Sequence, residues 1–327
     1  MTFILVQKLL RDTRWPLLAV CVLLFVFSAF WVKIAQRVTT EIAPFFNGLA
    51  AMQNIDKKLF DEVVFKGPGK VSQAVLGGAE IQFEKPNDFL AVEMLHPVVV
   101  ILVSLWAVGR AGSAIAGELD RGTMELLLSQ PVPRNRLVLA HFVVDCIVIP
   151  ILCCSILAGT QTGLALIGPF EVDYTILDKI QAKSPIKLPR GPAVLEVSAS
   201  RQVWAAVNLA ALMFAMSGLT MMISAFGRSR WKAIGIAALI GVTMFTANVI
   251  GQLWEGAAFV RPFTVFFYYQ PQKIWLKNIW TIDLGEGWAT GNQLLEVQVM
   301  AVLIGVGAIG YLVALRVFVR RDLPAPL

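Results

Sequence analysis

The sequence has few charged residues for its length. Asp, Glu, Lys and Arg together make up 15% of its 327 residues, whereas hydrophobic residues make up 57%. The mean hydropathy is +0.69. A water-soluble domain needs a larger charged share to cover its surface. The scarcity of charge therefore excludes an ordinary soluble protein and predicts an integral membrane protein.

Cysteine and histidine are also scarce, which bears on redox, metal and hydrolytic chemistry. All four cysteines fall inside hydrophobic runs without Cys-x-x-Cys spacing, so we interpret them as small packing residues and predict no disulfide framework. The two histidines, His96 and His141, form no His-Glu-x-x-His pair, and no Gly-x-Ser-x-Gly motif is present. We therefore expect no catalytic residue and no bound metal in this chain.

The sequence also lacks a phosphate-binding loop. Such a loop requires Gly, four residues, Gly-Lys and a hydroxyl residue, because backbone N–H groups and the Lys must together surround the phosphates. The nearest string, residues 67–71, has neither the spacing nor the hydroxyl. We therefore expect that the chain is not an enzyme, holds no cofactor and does not hydrolyse ATP on its own.

Long apolar runs are what the sequence has in abundance. A helix needs about 20 residues to cross the roughly 30 Å of hydrocarbon in a bilayer. Six such runs predict an all-α membrane protein with one six-helix domain over residues 15–327. The predicted spans are about 15–32, 98–115, 137–167, 203–225, 233–253 and 294–319.

The segments outside these spans differ in character. Residues 1–14 have the amphipathic spacing of a short helix that lies in the membrane interface and ends at Pro16; a frayed start of the first span is the alternative. Sizeable external loops are predicted at 33–96, 168–201 and 255–292. In the last loop, residues 257–269 are apolar but short and contain Arg261 and Pro262, which favours a re-entrant or interfacial piece.

Basic residues are concentrated on one side of the predicted bundle. The N-terminal lead, two short loops and the tail hold 13 of the 28 Lys and Arg residues but only five of the 22 acids, with Arg110 counted among the bases. Because basic residues in short loops stay on the cytoplasmic side, we expect a multi-pass protein of the plasma membrane with both termini in the cytoplasm. The basic pI of 9.2 thus reflects orientation and not nucleic-acid binding.

The inner loop between the second and third spans, residues 118–134, is the most informative segment. Gly122 offers a flexible point, and Thr123 a hydroxyl able to cap a helix. Residues 124–128 predict about one and a half helical turns, and the two prolines that follow prevent continuation. The expected product is a short helix across the cytoplasmic face, where a soluble partner docks.

The residues of this loop form a spaced pattern, Glu-x-x-x-Gly-Thr-x-Glu-x-Leu-Leu-x-x-Pro-Val-x-Arg. Its members here are Glu118, Gly122, Thr123, Glu125, Leu127, Leu128, Pro131, Val132 and Arg134. The pattern resembles the cytoplasmic loop of ABC-2 type transporter permeases, and the ending at residues 318–323, the basic lead and the six-span frame are similar to that family as well. Two positions depart from it, since Pro133 stands where Ser or Thr is frequent and His141 where Lys is frequent.

The resemblance implies the transmembrane half of an ATP-driven exporter. In that arrangement the short inner helix is a coupling helix, which sits in a groove of a separate ATPase subunit that binds ATP and magnesium. Two ATPase subunits and a second permease, identical or related, are the implied partners besides the lipid bilayer. The resemblance implies no particular substrate.

Two polar residues lie inside the third span. His141 precedes Asp145 by four residues, which puts both on one helical face. We interpret them as reaching toward water on the inner side or capping a neighbouring helix, with a proton relay as the alternative.

Two other functions remain open from the sequence. A membrane anchoring or assembly protein would bind a partner of the cell envelope through its outer segments. An ion-coupled secondary carrier would need titratable groups near the middle of the bilayer, and Asp145 lies about two helical turns short of it.

Overall fold

The computed structural model describes residues 2–52, 82, 84–124, 133–181, 190–285 and 295–321. Its helices, in chain order, are Thr2–Arg37 (α1), Ala43–Met52 (α2), Pro86–Ala91 (α3), Pro97–Ala114 (α4), Ala116–Asp120 (α5), Arg134–Ile167 (α6), Thr175–Gln181 (α7), Gln202–Phe226 (α8), Arg230–Leu253 (α9), Pro271–Lys277 (α10) and Val299–Arg320 (α11). Helices α1, α4, α6, α8, α9 and α11 are long and apolar enough to cross a membrane. The predicted all-α membrane fold with six spans is thereby confirmed.

The remaining elements are short. A π-helical turn, Val38–Ile42, joins α1 to α2, and 3-10 turns cover Val92–Leu95, Glu255–Phe263 and Val265–Tyr268. Two antiparallel ladders pair Phe170–Glu171 (β1) with Val194–Leu195 (β2), and Thr281–Asp283 (β3) with Glu296–Gln298 (β4). These ladders and turns belong to the segments that connect the spans.

The N-terminal lead and the first span form one helix. Helix α1 runs from Thr2 to Arg37 with Pro16 inside it, so the prediction that the N-terminal helix ends at Pro16 is wrong. A proline removes one backbone N–H, while the turns on either side keep their own hydrogen bonds, and such interruptions are tolerated in membrane helices. The hydroxyl of Thr13, one turn earlier, donates to the carbonyl of Leu9 at 2.8 Å.

Helix α8 is the centre of the bundle. It packs against α4, α6, α9 and α11. Of its apolar membrane-spanning stretch, 67% is buried inside the protein, whereas the corresponding share is 22% for α1 and for α9. Glycines allow α8 and α11 to touch backbone to backbone. A Cβ atom added at Gly218 would lie 2.2 Å from the carbonyl oxygen of Gly307, and one added at Gly310 would lie 2.3 Å from the carbonyl carbon of Gly218. Small residues at such crossings are the usual basis of helix packing in membranes.

Helix α1 is held to the outside of this bundle by α6. Gly159 and Gly163 are one turn apart on α6, and a Cβ atom at Gly159 would lie 2.4 Å from the carbonyl oxygen of Phe25. At Gly163 it would lie 2.8 Å from the carbonyl oxygen of Ala29. The two helices therefore pack at a distance that any larger residue would prevent.

The described parts of the predicted external segments pack together at the end of the bundle opposite the 118–134 loop; we call this end outer and the end with the loop inner. The ring of Trp31 stacks on Phe89 with centroids 5.3 Å apart, and its N–H donates to the carbonyl of Phe89. The hydroxyl of Tyr269 donates to the carbonyl of Met94 at 2.6 Å, and the amide of Ser198 donates to the side chain of Asn87. These contacts tie all three predicted external loops to one another.

After α9 the chain turns back on itself. Residues 255–268 form two 3-10 turns that pack against α9, and Arg261 is buried with its guanidinium 5.0 Å from the centroid of the Phe267 ring. The Nε of Arg261 also donates to the side-chain oxygen of Asn248 on α9 at 3.4 Å. The buried Arg261 is thus in contact with an aromatic ring and a side-chain amide. These contacts offset the cost of burying its charge where the segment packs against α9.

Candidate functional site

The helix is interrupted between α4 and α5, and a side chain of α8 bonds to the backbone at this interruption. Helix α4 ends at Ala114, and α5 starts at Ala116 after one residue, Ile115, which leaves two backbone N–H groups without helical partners. The hydroxyl of Ser224 accepts from Ile115 N at 3.2 Å and from Ala116 N at 3.0 Å, and it donates to the carbonyl of Gly112 at 3.0 Å. Ser224 thereby fixes the inner ends of α4 and α8 to each other.

A tight turn follows α5 and starts the segment predicted to couple to an ATPase. Gly122 has a φ of +68°, a left-handed conformation that suits glycine. The Glu118 carboxylate accepts a hydrogen bond from the Thr123 hydroxyl at 2.5 Å and forms an ion pair with Arg121. Glu118 and Thr123 are therefore bonded to each other across the turn. Thr123, predicted to cap a helix, donates its hydroxyl to the Glu118 carboxylate.

The entry of the coupling segment is anchored in the protein. Met124 is 2% exposed and packs in an apolar cluster at the inner ends of α4, α6, α8 and α11. The members of this cluster include Ala111, Leu137, Met221, Ala225, Tyr311 and Phe318. Five residues of the motif predicted to couple to an ATPase, Glu125, Leu127, Leu128, Pro131 and Val132, lie outside the described residues.

The exit of the segment is bonded to the ends of two other helices. Arg134, the first residue of α6, donates to the carbonyl of Arg321 at 2.5 Å, just past the end of α11. Arg321 in turn donates to the carbonyls of Ala225 and Gly227 at the end of α8, at 2.8 and 2.9 Å. Partial burial and nearby Arg228 lower the pKa of Arg321, but a guanidinium remains charged and suited to this role.

Ser224, Arg134 and Arg321 thus form one structure, which we term the inner clamp. Through it the inner ends of α4, α6, α8 and α11 are joined by side chains that bond directly to backbone atoms. Carbonyls at helix ends lack helical partners, and cationic side chains are favourable there. The inner clamp lies next to both ends of the 118–134 loop, because Ser224 bonds to the backbone at the junction of α4 and α5 and Arg134 is the last residue of the loop.

A buried ionic network lies deeper in the same helices. Asp145 on α6 is 1% exposed and forms an ion pair with Arg110 on α4, and it accepts hydrogen bonds from Ser217 on α8 and Tyr311 on α11. Arg110 also lies 3.2 Å from Nδ1 of His141 and donates to the His141 carbonyl at 3.3 Å. Because the guanidinium can only donate, Nδ1 of His141 is the acceptor and the ring is neutral.

The structure changes the interpretation of three residues. His141 and Asp145 do not reach inner water or cap a neighbouring helix, since both are buried against Arg110. Arg110 is not a base of the inner loop but a member of α4 whose side chain is 7% exposed. A buried carboxylate requires a counter-charge, and α4 provides it. Without Arg110 the inner segments still hold 12 bases against five acids, so the charge asymmetry persists.

The sequence contains a signal for the Arg110–Asp145 pair. Arg110 and Asp145 both fall inside predicted spans, at 98–115 and 137–167, and ionisable residues in spans usually pair with one another. Ser224 and Arg321 had no comparable signal, because a serine in a span and an arginine in a tail are common. Among the residues described, no group of His, Cys, Asp and Glu side chains is placed to hold a metal ion.

Comparisons with known proteins give the family. A family model described as ABC-2 family transporter protein matches residues 6–323, which is nearly the whole chain. No curated protein and no solved structure matches the chain. With six membrane helices in one bundle and a family model that covers it from end to end, the chain belongs to the ABC-2 family of transporter proteins.

Proposed function

We propose that this chain is the permease subunit of an ATP-driven exporter, and that the 118–134 loop couples it to a separate ATPase. Membership of the ABC-2 family makes it a permease of an ABC transporter, and an ABC ATPase is the general partner of such permeases. The outward direction of transport and the site of coupling are the proposed part. ATP and magnesium would be bound by the ATPase, because this chain has no phosphate-binding loop.

The inner clamp is the observation that supports coupling at this loop. A lever can transmit force only if both of its ends are fixed to the parts that move. Here Met124 anchors the entry of the loop in the inner apolar cluster, and Arg134 joins its exit to α11 and, through Arg321, to α8. Movement of an ATPase bound to the loop would therefore bias the arrangement of the whole bundle between inward-open and outward-open states.

The assembly follows from the same proposal. Two ATPase subunits would act on two permeases, either two copies of this chain or this chain and a related one. Six spans return the chain to the side on which it began, and the basic inner segments favour a plasma-membrane protein with both termini in the cytoplasm.

Charge reversal at the loop tests the proposal. The permease would be co-expressed with an ABC ATPase that it retains in a pull-down from its own host, purified in lipid nanodiscs, and assayed for ATPase retention and ATP hydrolysis. Glu125→Arg is expected to reduce ATPase retention or to abolish its stimulation by the permease, since it puts a positive charge in the docking segment. The matched control is Glu255→Arg, a reversal at an exposed residue of the opposite end. Equal behaviour of the two variants, with normal ATPase stimulation in both, would contradict coupling at this loop.

A further inference from the structure

A second buried acid lies at the outer end of the bundle. Glu93 belongs to the 3-10 turn Val92–Leu95 that precedes α4, and it is 0% exposed. The hydroxyl of Thr160 on α6 lies 2.9 and 3.2 Å from its two carboxyl oxygens. The amide nitrogen of Gln202 on α8 lies 2.6 Å from the Thr160 hydroxyl and 3.5 Å from the carboxyl. Glu93 therefore joins the outer ends of α6 and α8 to the start of α4.

No described cation pairs with this carboxyl. The ionisable groups on the elements packed around it all have other neighbours. His96 lies against the rings of Phe27 and Trp31, and the hydroxyl of Tyr269 and the thiol of Cys153 donate to backbone carbonyls. Asp88, Lys85, Lys273 and Lys277 line an outer cleft. The setting is the opposite of that of Asp145, which has Arg110 beside it.

The described hydrogen-bonding groups around Glu93 are neutral hydroxyl and amide groups. Among the described residues, the side-chain oxygens of Ser28 and Gln202 are buried without a hydrogen-bond partner. Ser28 on α1 lies beside the carboxyl, and its hydroxyl, like that of Thr160, can donate to the carboxyl or accept from it. Thr160 can donate to the carbonyl of Ile156, 3.1 Å away, while its oxygen accepts from a protonated carboxyl. One proton on Glu93 would thus be a donor beside a hydroxyl that can accept it, and it would remove a buried charge that only neutral groups are seen to surround.

We propose that Glu93 is a proton-binding site, which holds its proton while the outer ends of α1, α6 and α8 are packed together and releases it when they part. Water entering between these helices would stabilise the carboxylate, as it does at any exposed glutamate. The external proton concentration would then act on the balance between closed and outward-open bundles. This proposal does not depend on the identity of the ATPase or on the coupling loop.

The direction of the pH effect follows from linkage. The closed state binds the proton and the open state does not, so acid favours closure and a rise in pH favours opening. Within the range where only the closed state is protonated, the ratio of open to closed molecules should change by about tenfold per pH unit.

Infrared spectroscopy of the purified chain in lipid nanodiscs tests the site directly. At neutral pH we expect a C=O stretching band of a protonated carboxyl group in the wild type, and its loss in Glu93→Gln. Glu196→Gln removes an exposed acid at the same end and should keep the band. Thr160→Val removes the hydroxyl next to the carboxyl and should shift the frequency of the band without abolishing it.

Hydrogen exchange, corrected for the intrinsic effect of pH, tests the consequence. Amides around Thr160 and Gln202 should lose protection as the pH rises in the wild type and in Glu196→Gln, and should stay protected in Glu93→Gln, whose amide mimics the protonated acid. A wild-type spectrum without the band, or one unchanged in Glu93→Gln, would overturn the proposal. Failure of Glu93→Gln to fold, combined with an unshifted band in Thr160→Val, would count against it equally.

Discussion

At the residue scale, Asp145 and Glu93 are two buried acids in the same bundle, and the side chains around them differ in charge. Asp145 has the Arg110 guanidinium and two hydroxyl donors, so its charge is compensated. Glu93 has a hydroxyl and an amide but no described counter-charge. A fixed counter-charge makes Asp145 suited to hold α4 and α6 together rather than to exchange protons.

Removing one partner of the Arg110–Asp145 pair should destabilise the protein more than removing both. Arg110→Leu leaves a buried carboxylate alone, and breaking such a pair costs about 3–5 kcal/mol. In the Arg110→Leu/Asp145→Leu double variant no buried charge remains, so much of the lost stability should return. Thermal unfolding in detergent measures this, with Arg136→Leu at an exposed position of α6 as the control. Strictly additive effects of the two substitutions would show that the residues do not stabilise each other.

At the element scale, the helices meet where glycine permits it. The contact of α8 with α11 and that of α1 with α6 both bring a helix backbone within reach of a neighbouring carbonyl. In the last span Gly307 and Gly310 meet α8, whereas no described atom lies within 4 Å of a Cβ atom placed at Gly305. Which glycines touch a neighbour depends on the rotation of the helix.

Alanine substitution should separate these glycines. Gly218→Ala forces a methyl group against the backbone of Gly307, and overpacking of this kind costs about 1–3 kcal/mol. Gly305→Ala adds the same methyl group in open space and should leave stability unchanged or raise it by up to about 1 kcal/mol, since alanine favours helix more than glycine. Melting temperatures of the two variants in the same detergent give the comparison. A similar melting temperature for both would show that α8 and α11 are farther apart than described.

At the scale of the whole molecule, the inner clamp and the outer Glu93 cluster join overlapping sets of spans at opposite ends. Helices α6 and α8 take part in both. A displacement imposed at the inner end would therefore be felt at the outer end through two continuous helices, of 34 and 25 residues. Rigid elements that join two sites in this way are a physical basis for coupling between them.

Loss of the clamp should uncouple the permease from ATP hydrolysis without preventing ATPase binding. Arg321→Ala removes both hydrogen bonds to the end of α8, while Arg320→Ala changes an exposed neighbour. We expect the stimulation of ATP hydrolysis to fall by about tenfold in Arg321→Ala, within the range of ordinary coupling energies, and to stay normal in Arg320→Ala. The measurement is ATP hydrolysis by the co-purified complex in nanodiscs, normalised to ATPase content. Normal stimulation of ATP hydrolysis in Arg321→Ala would show that the inner clamp does not transmit motion between the ATPase and the permease.

The sequence predicted features that depend on one helix alone, such as the spans. It did not predict the contacts that depend on how two helices pack. Six apolar runs became six spans, because length and hydrophobicity alone permit a crossing. Pro16 was expected to end a helix that in fact continues. Arg110 was counted with the inner loop, although its place inside a predicted span pointed to a partner such as Asp145. Glu93 was assigned to an external loop, because no linear pattern indicates that Thr160 lies beside it.

The sequence by itself determined that this protein has six membrane spans and belongs among ABC-2 permeases, and it supplied the loop motif on which the proposed coupling rests. Those properties reside in composition, run length and a local motif. Only the tertiary structure decided which buried charges are neutralised and which helix ends are joined. Compensation of a charge and capping of a carbonyl require atoms within about 3 Å, and only packing brings residues from different spans so close.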